Sequence, residues 1–307
     1  MKCTCVTGYG NSGVPTCQEL MDVSKQLILV PYFKEDGTIN GVDISSMTEL
    51  DQTFLDGKIQ AVDPNLRWYP LPEMKNVTDE RADNITEEFE DGTSIKIQDG
   101  ARTFTGMLVS QTPELKKQLD KWGCESAGVY IIDKSGNLIG DGSVSGSFNP
   151  LKIQNHSLNV SLVKTTDTTV QKLLLSFVFD QTMDDANISM IGSSNITAAL
   201  IGVRGLINCT GINASSITTT GFTVTMATGY GTLLNPTLAT GLEVADFLFD
   251  NITQGDIGET FASLTEVDGV YTFVMDAQTS LDKLEVYQAA TLRDKGYEIT
   301  RFEISIP

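Results

Sequence analysis

The chain has 307 residues, 40% hydrophobic, 20% charged and only 7% aromatic, which excludes a disordered or collagen-like polymer and leaves room for two domain cores. Its 21 Lys and Arg against 40 Asp and Glu give a net charge of −19. The excess is acidic in both halves, −11 over residues 1–190 and −8 over 191–307, which argues against a conventional phosphate-gripping surface.

Met1-Lys2-Cys3-Thr4-Cys5 opens the chain with neither a charged n-region nor an apolar h-region, and no apolar run approaches membrane-spanning length, so a soluble, unexported chain is expected. The five cysteines, Cys3, Cys5, Cys17, Cys124 and Cys209, are odd in number and mostly far apart. That pattern fits reduced thiols rather than a disulfide framework.

In chain order, a Gly-rich arm (Gly8 to Gly13) leads through Pro15 to a short helical stretch from Thr16. "KQLILVPYFKEDGTINGVDI" reads as two strands joined at Asp36-Gly37, a strong hairpin signal. "MTELDQTFLDGKIQAV" reads as a helix capped by Thr48, with Leu50, Phe54 and Val62 at helical spacing and a stop at Asp63-Pro64. An extended ribbon follows from Val77 to Ile97, with seven acids against Arg81 alone between Val77 and Asp91 and a turn at Asp91-Gly92. So many like charges repel one another strongly in a medium of low dielectric constant, so the ribbon must face water. Glu87, Glu88, Glu90 and Asp91 are therefore the candidate functional residues, as acids of a lumen or of a subunit interface. A solvated acidic hairpin is the plainer reading.

"ARTFTGMLV" alternates as a strand. Thr112-Pro113 then caps a helix that places Leu115, Leu119 and Trp122 on one face before Gly123 closes it. "VYIIDKSGNLIGDGS" is a hairpin turning at Ser135-Gly136-Asn137, and "HSLNVSLV" and "KLLLSFVFD" continue the strand pattern to Asp180. The expected fold class is mainly β of the α+β kind, a sheet or barrel with one or two packing helices. Near residue 191 the texture turns to Thr, Gly, Ala and Val, and no Lys or Arg occurs from Gly205 to Asp282. Short strands with turn signals then run to about Ala290, the size and rhythm of an immunoglobulin-like β-sandwich without the Cys–Trp–Cys pattern of antibodies. The last strand, "YEITRFEISIP", suits either domain. The expected division is a first domain over 1–190 with its arm at 1–24 and an acidic hairpin at 77–97, a sandwich over 191–292, and a terminal strand over 293–307.

Signals for chemistry are sparse. His156 is the single histidine and sits at a strand edge in "NHSLNV", a poor place for a nucleophilic triad. Cys3, Cys5 and Cys17 lack a fourth zinc ligand at ribbon spacing. "DKSGNLIGD" begins like a calcium loop, but Leu138 stands where the glycine is required and Val144 where the bidentate acid would be. No phosphate-binding Gly loop precedes a Lys. No catalytic residue, cofactor or metal site is expected, and the chain reads as a non-enzyme.

The order of elements from Lys25 to Asp180, a hairpin, a helix, an acidic ribbon, "DGARTFTGMLV", "TPELKKQLDKWG", "GVYIIDKSGNLIG" and strands ending "LLLSFVFDQTMDDANISMI", resembles virion structural proteins of tailed phages infecting Bacteroides-type bacteria. It is most similar to the ring or tail-tube-like proteins of crAss-like phages, with an immunoglobulin-like module added. The resemblance implies a tail-tube-like sandwich or barrel, made in the bacterial host cytoplasm and placed in the tail or neck of the virion. It implies a homo-oligomeric ring around the channel that DNA leaves by, neighbouring tail or portal proteins as partners, DNA passing without specific binding, and no membrane. The expectation from a different class is a carbohydrate- or protein-binding surface module, an adhesin or head decoration.

Overall fold

The computed structural model describes residue 13 and residues 18–307. Most of the expected arm, with Cys3, Cys5, Cys17 and the helix start at Thr16, lies outside the described residues, and residues 18–23 carry no helical turn. The architecture is mainly β, with few helices.

The first part of the chain supplies β1 (Ser24–Pro31), β2 (Lys75–Arg81), β3 (Ile85–Glu88), β4 (Ser94–Gln98), β5 (Arg102–Val109), β6 (Ala127–Asp133), β7 (Leu138–Asp141), β8 (Asn159–Val163), β9 (Lys172–Val178) and β10 (Ile188–Ile191). Helices α1 (Gln52–Ile59) and α2 (Pro113–Asp120) interrupt them. One six-stranded sheet runs β10-β7-β6-β1 and on to Tyr69–Pro70, with Leu151–Lys152 also paired to β6. A four-stranded sheet runs β8-β9-β5-β2.

The apolar runs of β1 and β6 lack alternation because both faces of these strands are buried. Leu27, Leu29, Val129 and Ile131 meet Phe104, Leu108, Leu173 and Phe177 of the four-stranded sheet. On the opposite face Ile28, Val30, Tyr130 and Ile132 meet Leu55 and Ile59 of α1, Trp68, Ala198 and Leu200. Truncating a fully buried aromatic such as Phe104 in such a core costs about 3–5 kcal/mol.

Three local expectations are corrected. The turn at Asp36-Gly37 forms, with Phe33 bridged to Ile39, but β1 pairs with β6 and Tyr69–Pro70 while Val42–Asp43 pairs with Ser147–Phe148. A strand buried on both faces is claimed by the sheet centre rather than by its sequence neighbour. Helix α1 starts later than Thr48 suggests: Asp51 is its cap, accepting from the Phe54 N–H at 2.8 Å. Leu50 cannot join it, because its N–H donates to Asn195 and its carbonyl accepts from Thr197 and Ala198. The helix ends at Ile59, and Val62 is exposed beyond it. The acidic ribbon is two structures: β2 belongs to the four-stranded sheet beside β5, and only β3 and β4 form a free hairpin.

Residues 188–206 belong with the first part. β10 pairs with β7, Ala198 and Leu200 enter the second core, and Val203 and Leu206 pack against it. Gln26, 1% exposed, ties this linker down: its Nε2 donates to the carbonyls of Leu71 and Val203, both at 2.7 Å, and its Oε1 accepts from Gly202 at 3.0 Å. The change of composition near 191 therefore precedes the structural change, which falls at 206–207.

From there come β11 (Ile207–Thr218), β12 (Gly221–Gly231), β13 (Phe247–Asn251), β14 (Asp256–Thr260), β15 (Ser263–Val267), β16 (Val270–Val274), β17 (Lys283–Gln288), α3 (Thr291–Asp294), β18 (Tyr297–Thr300) and β19 (Phe302–Ser305). They form a sandwich of two sheets, β15-β16-β12-β11-β18 and β14-β13-β17-β19, with Pro236–Leu238 added to β12. Phe222, Phe247, Phe261, Tyr271 and Phe273 fill its core. Strand β18 pairs in parallel with β11, and β19 pairs with β17, so 293–307 completes this sandwich and does not return to the first sheets. Among the described residues no strand of the first part pairs with one of the second.

Candidate functional site

Among the described residues the hairpin β3–β4 pairs with no other strand, and every residue from Ile85 to Ile97 is exposed. Its turn forms as Asp91-Gly92 dictates: Gly92 has φ of 80°, and the Asp91 carboxylate accepts from the N–H and hydroxyl of Thr93 at 2.9 and 2.6 Å. Those bonds, the hydroxyl first, hold the Asp91 pKa below the ordinary carboxylate value. Glu87 and Glu88 lie on β3, with Glu90 and Asp91 in the turn, so all four candidate acids share one exposed tip.

The register sets Glu87 opposite Ile95 and Glu88 opposite Ser94, so Ile85, Glu87 and Ile95 share one face while Thr86, Glu88, Ser94 and Lys96 share the other. Ile85, Ile95 and Ile97 are each more than half exposed, at 54%, 57% and 54%, and Phe89 at the tip is 43% exposed. The sequence reading saw the acids and missed this apolar face, although the alternation in "SIKIQ" carries it.

At the root of the hairpin the acidity is locally compensated. Arg102 holds both oxygens of Asp79 at 2.6 and 2.8 Å, and Arg81 holds both oxygens of Asp185 at 2.8 and 2.9 Å. Arg102 also reaches Asp185 at 2.8 Å. These bonds, with that of Arg81 foremost, hold the Asp185 pKa below its ordinary value. The partners Arg102 and Asp185 are invisible in the ribbon's own sequence.

The other chemical candidates resolve into structural roles. His156 occupies a left-handed turn at φ of 62° with Nδ1 3.0 Å from the Gly123 carbonyl. The Asp133 carboxylate is filled by four donors within the hairpin and its neighbour: the N–H groups of Asp22, Ser135 and Asn137 and the Asn137 amide. Cys124 is exposed and free; Cys209 is buried and free, its thiol pushed up to about 12 by burial. Among the described residues no group of three or more His, Cys, Asp or Glu is placed to hold a metal, and no helix is long and apolar enough to cross a membrane.

Where the two parts meet, packing is open. The linker 202–207 runs between cavities of about 580, 450 and 320 Å3. Across the junction Arg67, 3% exposed, binds Glu298 of β18 at 2.7 Å. A Cβ on Gly229 would come within 2.5 Å of the Glu114 carboxyl of α2, so β12 passes close to that helix here and a larger residue would have to displace the Glu114 side chain. Arg293 of α3 is 9% exposed and makes no side-chain hydrogen bond or ion pair among the described residues. Its buried position, and then repulsion from Arg67, lower its pKa from the ordinary arginine value.

Comparison of the sequence with protein-family models and with curated proteins gives no match.

Proposed function

We propose that this chain is a structural subunit of a tailed-phage virion, one segment of a ring in the tail or neck whose wall encloses the DNA conduit. One observation carries the reading, the free hairpin β3–β4 with an apolar face of Ile85, Ile95 and Ile97 and an acidic tip. A two-stranded hairpin is marginally stable alone in water, and three half-exposed isoleucines on one ribbon call for a covering surface. A neighbouring copy in a closed ring supplies such a surface once per subunit without an open end. Glu88, Glu90 and Asp91 remain in water, facing a channel through which DNA passes without being held, while Glu87, on the isoleucine face, meets the neighbouring copy. The order of elements in the first part, and a second part whose sheets follow the D-E-B-A and C′-C-F-G orders of an immunoglobulin sandwich with β18 added beside the strand at A, support the tail-tube-like and immunoglobulin-like parts of this reading.

A second reading, a protein- or carbohydrate-binding module on the virion surface, is favoured by the loop after β12, where Leu233 and Leu234 are 103% and 92% exposed. Such a tip suits contact with another protein.

Sedimentation and native mass of the purified chain, alone and with its virion neighbours, separate the two. The wall reading expects a closed oligomer that the double variant Ile85→Ser, Ile95→Ser abolishes while its protomer stays folded. A compact monomer under every condition removes the wall reading. Loss of host attachment on changing Leu233 and Leu234, with assembly untouched, establishes the second.

A further inference from the structure

In a chain with twice as many acids as bases, an arginine without a carboxylate is unusual, and two of them line one cleft. The cleft of about 450 Å3 lies between the linker, α1 and α3, and its lining includes Gln60, Arg204, Gly205, Arg293 and Tyr297. Arg204 is exposed and, like Arg293, forms no ion pair and no side-chain hydrogen bond among the described residues. The residues outside that set contain no Asp or Glu, so no carboxylate side chain is left over to neutralise either one. We propose that this cleft binds a small oxyanion, phosphate or carboxylate, clamped between the guanidinium groups of Arg204 and Arg293.

The physical case rests on an unbalanced charge. Arg293 is nine-tenths buried as a residue and its Nε wholly so, which strips part of the hydration from its guanidinium, and such a group is normally balanced by a carboxylate or by several carbonyls. Arg293 has neither, and its Nε has no partner although it is buried. Its nearest cationic neighbour, Arg67, spends its one ion pair on Glu298 and leaves Nη2 buried without a partner. Lys295, also on the cleft, is occupied by Asp246 at 2.7 Å and Glu243 at 3.4 Å. The carboxylates of Asp56 and Asp294 reach the same lining, but neither contacts Arg204 or Arg293, and Asp56 accepts the Gln52 amide at 2.8 Å. Two guanidinium forks lining one cleft match the tetrahedral or planar oxygens of an oxyanion, each able to give two parallel N–H bonds. Because Arg204 sits on the linker and Arg293 on the sandwich, an anion bound between them also joins the two parts of the molecule.

Thermal unfolding and calorimetric titration of the full chain test the site, with inorganic phosphate and acetate as probes at constant ionic strength set by chloride. Twenty-fold saturation by either probe raises the midpoint by about 2–5 °C, and Arg204→Gln and Arg293→Gln each abolish that rise. Arg204→Gln changes an exposed side chain, so it reports on the site even if the buried Arg293→Gln variant unfolds. Asp56→Asn removes a competing negative charge and tightens probe binding several-fold. The proposal is overturned if neither probe binds the wild type, if the rise survives in Arg204→Gln, or if Asp56→Asn destabilises the chain without tightening binding, since Asp56 would then be the arginines' true partner.

Discussion

Replacing Gln26 by Leu keeps the side-chain volume and removes the three hydrogen bonds that tie the linker to the first sheet. The carbonyl of Leu71 lies in the interior, while the carbonyl of Val203 and the N–H of Gly202 are partly buried. One fully stranded group and two that reach water in part sum to about 2–4 kcal/mol. At about 2–4 °C per kcal/mol for a unit of this size, the first part should melt about 4–16 °C lower. Both tryptophans, Trp68 and Trp122, lie in that part and the sandwich has none, so tryptophan fluorescence follows its melting alone. Hydrogen exchange across 198–206 should accelerate in the same variant, because the linker loses its anchor before the sheet unfolds. A midpoint within about 2 °C of the wild type, with unchanged exchange in 198–206, would refute the anchoring role of Gln26.

Residues 207–307 expressed alone should fold as a β-sandwich with cooperative melting by circular dichroism, whereas deletion of 198–290 should unfold both parts, because it removes Ala198 and Leu200 from one core and most strands from the other. Changing Glu87, Glu88, Glu90 and Asp91 to Lys should leave the protomer folded, since all four are exposed, and should give the assembled ring a salt-dependent affinity for DNA with slower genome release; normal ejection with impaired host attachment would count against a lumen. Asp185 has a folded pKa below its unfolded value, so its ion pairs stabilise the protein fully above the unfolded carboxylate pKa and are lost as pH falls through the lower folded value. Asp185→Asn should therefore lower stability at neutral pH slightly and flatten the acid limb of a stability profile; an unchanged acid limb would show that Arg81 and Arg102 do not depend on it.

The elements legible in the sequence were those fixed by neighbours in the chain. The hairpin at Ser135-Gly136-Asn137 needs only local turn chemistry and forms where expected. The helix after Thr112 starts with Pro113 at its first position, but the Thr112 hydroxyl makes no capping bond and the α-helix ends at Asp120, short of Gly123. The partner of β1 was not legible: its pairing with β6 joins Ser24 to Asp133, a contact across more than a hundred residues that no local pattern encodes. The module boundary was misplaced because surface charge, which thins out near 191, tracks solvent exposure rather than core membership, and Ala198 and Leu200 look no different from sandwich residues. Of the candidate acids, the sequence showed the cluster but not the isoleucine face behind it. The pair Arg204 and Arg293 was unreadable in principle, since being unpaired is a property of the folded surroundings and not of either residue.

The parallel ladder between β11 and β18 has a mechanical consequence. Ile207 faces Tyr297 and Thr210 faces Thr300, and the linker enters at one end of the ladder while the chain leaves toward Pro307 from the other. A pull between the linker and the C-terminal end drags the two strands past each other lengthwise, so their bonds carry the load together instead of opening one at a time. The sandwich is thereby a tether that yields late under tension, with a rupture rate set by its unfolding barrier rather than by its equilibrium stability.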